Sequence, residues 1–359
     1  MPDSPSFLRD VDDVVTAKQL QATVEAIAEW QLASGMVPWF PGGHADPWNH
    51  TEALMALMLG GHRREAELGF EWLQKTQRDD GAWHQYYLPD RVEQDKLDAN
   101  CVAYVAAGVW FHWLMYRDRG ALEAMWPMVE DAVEFVRGLQ THRGEVIWAR
   151  YADGTPFTFA LLTGSSSISH SLLCAIAIAD ELGHERASWR RSAAKLARTI
   201  REVPEAFAPK HRWAMDWYYP VLTGAILGDA GRERLDHRRD AFVTDAWGIR
   251  CVSDRPWITA AETCECAMAH LAVGEDDTAH ELFAWSQRLR SEEDRYWTGI
   301  VVPEEVHFPG GEQSTYTASA VIMAADALTG GSPASGLFIR HEELPAVIDT
   351  APGHDHTEG

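Results

Sequence analysis

The chain has 359 residues, 46% of them apolar, and a formal charge of −23 at pH 7, because 54 acidic residues outnumber 31 basic ones. This acidity disfavours nucleic acid and anionic membranes as partners, and we expect neither. The five cysteines lie mostly in apolar runs, as buried free thiols of a reducing compartment do. The N-terminal residues show no signal pattern, and the longest uncharged run, 101–115, is too short to span a bilayer. The sequence therefore predicts a cytoplasmic protein.

Two kinds of helical segment alternate along the chain. Amphipathic segments such as 121–140 carry an apolar stripe opposite charged residues, whereas segments such as 101–115 have no polar face. Because a helix without a polar face is buried on all sides, we predict an outer and an inner set of helices. The outer helices are expected at 15–33, 62–77, 121–140, 185–203, 231–242 and 275–290, and the inner ones at 48–59, 97–116, 166–182, 214–228, 259–272 and 314–328.

This alternation, at a repeat of roughly 50–60 residues, predicts a closed ring of helical hairpins, an all-α (α/α)6 barrel. We expect one domain over residues 1–330. The segment 331–359 is rich in Gly, Pro, Ser and acidic residues, so it is expected to be a partly disordered tail. Strands are expected only as small hairpins near 145–149 and 299–302. The sequence leaves the oligomeric state open.

Polar residues gather where the inner helices begin. Asp46 fits the N-cap of the first inner helix, and Pro47 fits its first turn. A toroid arranges such ends around one funnel, where aromatic faces can stack on sugar rings and Asn, His and Asp can bind hydroxyls. The candidate substrate-binding residues are His44, Trp48, Asn49, His50, Asp98, Asp216, Trp217, Tyr218, Trp257 and Glu265.

Glycoside hydrolysis needs two carboxyl groups, and we choose Glu262 and Asp46. Glu262 lies among alanines and cysteines, and apolar surroundings raise a carboxyl pKa, as a general acid requires. Asp46 lies in a polar cluster, where it should stay ionised and act as the base. Glu265 is the substitute for Glu262, and Asp98 is the substitute for Asp46. Across the funnel the pair should be about 6.5–9.5 Å apart, which is an inverting geometry. Each carboxylate could instead serve only as a cap or dipole partner.

Several stretches resemble one family of bacterial proteins over about residues 15–328. The loop Gln77-x3-Gly81-x-Trp83 is similar to the repeat of squalene cyclases. The longer stretches resemble toroid proteins often labelled prenyltransferases, and they are Asp46-Pro-Trp-Asn-His-Thr-Glu-Ala, Leu97-Asp-Ala-Asn-Cys-Val-Ala-Tyr, Leu162-Thr-Gly-Ser-Ser-Ser-Ile, Met215-Asp-Trp-Tyr-Tyr-Pro, Cys251-Val-Ser-Asp-Arg-Pro-Trp and Ala261-Glu-Thr-Cys-Glu. Among these proteins the sequence is most similar to the methylmannose polysaccharide hydrolases, which are endo-acting α-mannosidases. The resemblance implies an (α/α)6 barrel that hydrolyses an α-1,4-mannoside chain bearing 3-O-methyl groups. It also favours Asp46 and Glu262 as the catalytic pair.

Four other functions compete with this one. A terpenoid cyclase or prenyltransferase also uses an aromatic toroid, but the Asp-Asp-x-x-Asp diphosphate motif is absent from the sequence. A carbohydrate-binding toroid without activity needs the same aromatic residues. A zinc site at Cys264, Cys266 and His270 has poor helical spacing, since positions 264 and 266 point about 200° apart. A serine hydrolase at Gly164-Ser-Ser-Ser lacks the nucleophile elbow. We expect no metal and no cofactor.

Overall fold

The computed structural model describes residues 3–346, and these residues form a helical barrel with small sheets at one end. The helices of the described chain are α1 (Ala17–Trp30), α2 (Pro47–Leu59), α3 (Arg63–Thr76), α4 (Ala99–Tyr116), α5 (Arg119–Gly138), α6 (Leu162–Leu182), α7 (Ala187–Glu202), α8 (Met215–Leu222), α9 (Gly228–His237), α10 (Arg239–Phe242), α11 (Ala260–Ala272), α12 (Asp276–Ser286) and α13 (Thr315–Thr329).

Six of these helices form a closed inner ring. In the order α2, α4, α6, α8, α11 and α13, each packs against the next, and α13 returns to pack against α2. The outer helices α3, α5, α7, α9, α12 and α1 pack against these inner helices in the same order. The inner helices are apolar all round because they have neighbours on every side: from Ala53 to Leu59, every residue of α2 is fully buried. The predicted (α/α)6 barrel is confirmed.

A repeated side-chain contact joins neighbouring outer helices. Gln77 ends α3, and its Nε2 donates to the carbonyl oxygens of Gly81 (3.0 Å) and of Met128 on α5 (2.9 Å). Gln31 and Gln140 make the equivalent pair of bonds after α1 and α5. Gly81 has a φ of +83°, and a Cβ there would lie 2.2 Å from the Asp131 carbonyl oxygen. The Gln-x3-Gly pattern is therefore required by the close approach of the loop to the next outer helix.

The strands lie in the loops. β1 (Tyr86–Leu88) pairs with β2 (Arg91–Gln94), and β3 (Leu97–Asp98) pairs with β4 (Ala149–Arg150). A third, antiparallel sheet has five strands in sequential order, and its members are β5 (Val243–Thr244), β6 (Gly248–Arg250), β7 (Trp257–Thr259), β8 (Trp297–Val301) and β9 (Val306–Gln313). The sequence analysis placed a hairpin near 299–302 but did not foresee this sheet, because its strands come from two separate interhelical loops.

The segment after α13 differs from the expected tail as far as residue 346. The side chains of Leu337 and Phe338 are buried, and the Phe338 ring stacks on Tyr104 and on His170 of the inner ring. The His170 ring also contacts the Leu337 carbonyl oxygen, at 3.0 Å. This segment therefore belongs to the barrel, because its apolar residues fill space between the inner helices. The rest of the predicted tail, 347–359, lies outside the described residues.

One helix of the described chain, α6, is long and apolar enough to cross a membrane. It belongs to the inner ring, and 83% of its apolar window is buried within the barrel. Its composition is therefore explained by packing between α4 and α8.

Candidate active site

A cleft of about 350 Å³ opens where α2, α4, α6 and α8 begin. Aromatic side chains form much of its wall, and carboxylate and amide groups reach it from the first turns of the helices. The lining residues include Trp48, Gln85, Asp98, Asn100, Trp148, Phe159, Trp213 and Asp216. Because inner helices present their N-terminal ends here, backbone N–H groups and side chains together favour oxygen-rich ligands.

Asp46 is the N-cap of α2, and both of its carboxylate oxygens are occupied. Oδ1 accepts from the backbone N–H groups of Trp48 (2.9 Å) and Asn49 (3.0 Å). Oδ2 accepts from the Trp39 indole (2.6 Å) and from the Asn49 amide (2.8 Å). Burial raises the pKa of Asp46, and these four donors act in the opposite direction by stabilising the anion. The side chain is 2% exposed, so its surroundings are drier than the open polar cluster that the sequence suggested.

Glu262 lies in the first turn of α11 and is partly exposed. Burial of the carboxyl is the largest influence on it and raises the pKa of Glu262, as a general acid requires. Burial and, after it, the negative charge of Glu262 raise the pKa of Tyr316, the second residue of α13. The Tyr316 ring lies 4.9 Å from the ring of Trp39, which donates to Asp46. Tyr316 thus connects the two predicted catalytic residues, since the Glu262 charge influences it and its ring contacts Trp39.

A second pair of carboxyl groups lies deeper along the barrel axis. Glu52 accepts from the Trp48 indole (2.9 Å) and the Tyr104 hydroxyl (3.2 Å). Glu265 accepts from the hydroxyls of Tyr218 and Tyr219, the latter at 3.2 Å. Both carboxyls line one small internal cavity. Burial raises the pKa of Glu265 to about 8 and that of Glu52 well above its ordinary range, with the Glu265 charge adding to the latter. Burial and their mutual repulsion therefore favour the protonated form of these two carboxyls.

A known relative shows which family this arrangement belongs to. The MMP endo-(1,4)-3-O-methyl-alpha-D-mannosidase of Mycolicibacterium hassiacum is 46% identical over 339 residues, covering 94% of this chain and 94% of that protein. The chain belongs to the family of this mannosidase. It is a glycoside hydrolase, and the terpenoid cyclase alternative is thereby excluded. No family model matches the chain.

Solved structures of low sequence identity share the barrel of this mannosidase family. A glycosidase variant in complex with glucose superposes with a TM-score of 0.64 at 12% identity, over 88% of this chain and 97% of that one. A D-mannose isomerase gives 0.64 at 11% identity, over 87% and 97%. The cellobiose 2-epimerase of Spirochaeta thermophila DSM 6192 gives 0.64 at 14% identity, over the same shares. At this level of identity the likeness shows the fold alone.

Of the ten predicted substrate-binding residues, three line the cleft and three more lie outside its lining. Trp48, Asp98 and Asp216 line the cleft. Asp98 caps α4 through the N–H groups of Asn100 and Cys101, and burial raises the pKa of Asp98 and of Asp216. The His44 ring stacks on Tyr86 at 4.1 Å, Asn49 contacts Asp46, and Trp257 is 38% exposed on β7.

The structure places the other four away from this cleft. The His50 ring is in the core, where its nitrogens contact the Val37 N–H and the Gly69 carbonyl oxygen, and burial lowers the pKa of His50 to about 4. Trp217 stacks on Phe242 and faces a neighbouring cavity of about 880 Å³. Tyr218 is fully buried, and it donates to Glu265, which lies on the axis rather than in the cleft. Helical spacing alone does not tell which of successive polar residues turns inward.

The sequence analysis did not select Trp39, Tyr86, Trp148 and Tyr316. Trp39 and Trp148 follow Gln-x3-Gly loops, where a tryptophan can pack over the end of the preceding helix. Trp83 does so, since its indole donates to the Leu73 carbonyl oxygen at 2.8 Å. Trp39 and Trp148, however, lie two residues further beyond the glycine, which brings them to Asp46 and to the cleft. That difference in spacing, Gly-x3-Trp against Gly-x-Trp, is the signal that could have found them.

The proposed zinc ligands point to separate partners. The Cys264 thiol lies 3.5 Å from the Ser286 hydroxyl, and the His270 ring lies 2.6 Å from a Glu275 carboxylate oxygen. In the described part of the chain, no group of three or more His, Cys, Asp or Glu side chains has the arrangement of a metal site.

Proposed function

We propose that this enzyme hydrolyses α-1,4 bonds within a polysaccharide of 3-O-methylated mannose, with Glu262 as the general acid and Asp46 as the general base. The observation that carries the substrate is the near-complete match, at 46% identity, to an endo-acting 3-O-methyl-mannosidase. The aromatic cleft supports it, because methylated sugars present more apolar surface to Trp and Phe rings than free sugars do.

Glu262 suits the role of acid. Its raised pKa keeps the carboxyl protonated to higher pH than an exposed glutamate, and its partial exposure lets that proton reach a glycosidic oxygen. Protonation of this oxygen as the bond to the anomeric carbon breaks is the step that the acid assists.

Asp46 can act as base only if one of its four hydrogen bonds is released, because a carboxylate has about four acceptor positions. Asn49 is partly exposed and is the donor that can move. In our proposal a substrate hydroxyl takes the Asn49 amide, and Oδ2 is then free to accept a proton from the attacking water. A separation of about 6.5–9.5 Å between the two carboxyls would leave room for that water and invert the anomeric configuration.

The proposal also places the enzyme in the cytoplasm, with no nucleic acid or membrane partner. Four cysteines of the described residues are buried and Cys251 is partly so, and all five are free thiols, as in proteins of reducing compartments. The net charge of −23 supports a neutral saccharide as the substrate.

The decisive experiment is incubation with a panel of α-linked oligosaccharides, methylated and unmethylated, followed by product sizing and NMR of the newly formed anomer. We expect internal cleavage of the 3-O-methylated α-1,4-mannoside, with β-configured product forming first. Release of single sugars from one end would contradict endo action. An α-configured first product would contradict inversion, and cleavage of a different sugar alone would contradict the substrate.

A further inference from the structure

Two buried amide oxygens on the cleft wall lack a donor in the described protein. Gln85 lies just before β1 and Asn100 lies in the first turn of α4, and their side chains are 8% and 6% exposed. Both line the cleft, and neither Oε1 of Gln85 nor Oδ1 of Asn100 has a hydrogen-bond partner. A buried polar group without a hydrogen-bond partner destabilises the protein. A ligand hydroxyl that enters the cleft would offset this cost.

The wall beside these amides is apolar and held in place. The Trp148 ring stacks on Phe159 with centroids 5.3 Å apart, and the Lys96 ammonium lies 3.9 Å above the same indole. Trp148 and Phe159 line the cleft with Gln85 and Asn100. The site thus combines two hydrogen-bond acceptors with a rigid aromatic face that presents no oxygen acceptor.

The chemistry of the substrate matches this combination, an argument that rests on the proposed function. In an α-1,4 chain of 3-O-methylmannose, the linkages take O1 and O4, the ring takes O5, and the methyl group blocks O3. Each internal residue therefore has two hydroxyl donors left, at O2 and O6. An ether oxygen has no proton to donate, so a carbonyl oxygen can bind these two positions and cannot bind the methylated one.

We propose that Gln85 and Asn100 determine specificity by accepting hydrogen bonds from the O2 and O6 hydroxyls of one sugar residue, while Trp148 and Phe159 receive its 3-O-methyl group. A chain methylated also at O2 or O6 is rejected, because it leaves an acceptor unpaired and adds bulk beside it. Sites built to bind a hydroxyl discriminate strongly against analogues without it.

The test pairs protein variants with substrate analogues. The kcat/KM values of the parent, Gln85→Ala and Asn100→Ala are measured on the 3-O-methylmannose oligomer and on its 2-deoxy and 6-deoxy analogues. For each protein, kcat/KM on the oligomer is divided by kcat/KM on each analogue. Comparing these ratios between variant and parent removes the intrinsic effect of the missing hydroxyl on reactivity. We expect the parent to lose about tenfold or more on each analogue, since one hydrogen bond of about 1.4 kcal/mol corresponds to tenfold in binding. Each Ala variant should lose its preference for one of the two hydroxyls and keep the other.

Two controls separate recognition from folding. Gln74→Ala removes an exposed glutamine on α3 that bonds the Ala124 carbonyl oxygen, and it should leave all ratios unchanged. Asn100→Asp keeps an acceptor and should restore the preference that Asn100→Ala loses. If the parent cleaves the oligomer, either of two results would overturn the inference. One is an Ala variant whose kcat/KM falls equally on all three substrates. The other is a pair of Ala variants that prefer the oligomer over both deoxy analogues as strongly as the parent does. A parent that cleaves no mannoside would overturn the proposed function and, with it, this inference.

Discussion

The two carboxyl pairs of this barrel are built from the same two inner helices but occupy different surroundings. Asp46 and Glu52 belong to the start of α2, and Glu262 and Glu265 belong to the start of α11. The two residues nearer the helix starts, Asp46 and Glu262, are called the mouth pair; Glu262 is partly exposed, and Asp46 is held by donors that include the partly exposed Asn49 amide. On the axis, Glu52 and Glu265 are enclosed and accept only from Trp and Tyr side chains. One or two turns along a helix thus separate the two residues that we propose for catalysis from two carboxyls whose surroundings favour the protonated form.

This difference teaches that a raised pKa does not by itself mark the catalytic acid. Burial raises the pKa of all four groups. Glu265 has the surroundings of a proton-holding acid, yet it is 8% exposed and bonds two tyrosines. We therefore assign the axial pair to positioning: Glu52 holds the Trp48 indole that lines the cleft, and Glu265 holds the tyrosines behind it.

The largest expected effect is that of Glu262→Gln. Loss of the general acid should lower kcat by about 10²–10⁴-fold, while saccharide binding, measured by calorimetry, stays within a few-fold of the parent. Glu304→Gln, at an exposed position in the loop between β8 and β9, is the matched control and should keep full activity. Unchanged turnover in Glu262→Gln would show that the mouth pair does not include the acid.

Asp46→Asn tests the other mouth residue. Asparagine is also a good N-cap, so α2 should keep its cap bonds to the Trp48 and Asn49 N–H groups. Its amide cannot take a proton from water, and kcat should therefore fall at least about 10²-fold. The new NH2 group would face the Trp39 indole, so a loss of about 1–3 kcal/mol in the free energy of unfolding is also expected. A loss of stability with full activity would show that Asp46 caps α2 and takes no part in catalysis.

Glu265→Gln tests the axial pair through pH dependence. The folded-state pKa of Glu265, about 8, exceeds its ordinary value of 4.5, so the folded chain keeps a proton that the unfolded chain releases. Stability from this group is complete below about pH 4.5 and is lost as pH rises through about 8. The free energy of unfolding, measured by denaturant titration at a series of pH values, should fall less steeply with rising pH in Glu265→Gln than in the parent. If the free energy of unfolding changes with pH in the same way in parent and variant, the raised pKa of Glu265 is contradicted.

The smallest effect is expected for Trp257. Trp257 is exposed and its ring lies 5.5 Å from that of Phe308. Trp257→Ala should raise KM a few-fold, by about 0.5–1 kcal/mol of lost stacking, with kcat unchanged. The melting temperature should stay close to that of the parent. A large fall in kcat would instead indicate that Trp257 contacts the reacting part of the substrate.

The helical ring could be predicted from the sequence because its signals are local. An apolar run without charges, such as that in α4, can only be buried, and its alternation with amphipathic stretches leaves few other packings. Asp46 and Pro47 marked the start of α2 because capping depends on neighbours in the chain. The predicted limits of both helices agree with the observed ones to within two residues.

What only the tertiary structure decided is which of these polar residues meet. Asp46 is 216 residues from Glu262, and Tyr316, which the Glu262 charge influences, comes from a third helix. His50 and Glu52 are two residues apart, yet one lies against α3 and the other faces the axis, because successive helical positions turn by about 100°. The sequence by itself determined the barrel and the stretches that form its mouth. The division of those stretches into mouth, axis and core depended on neighbours that are distant along the chain.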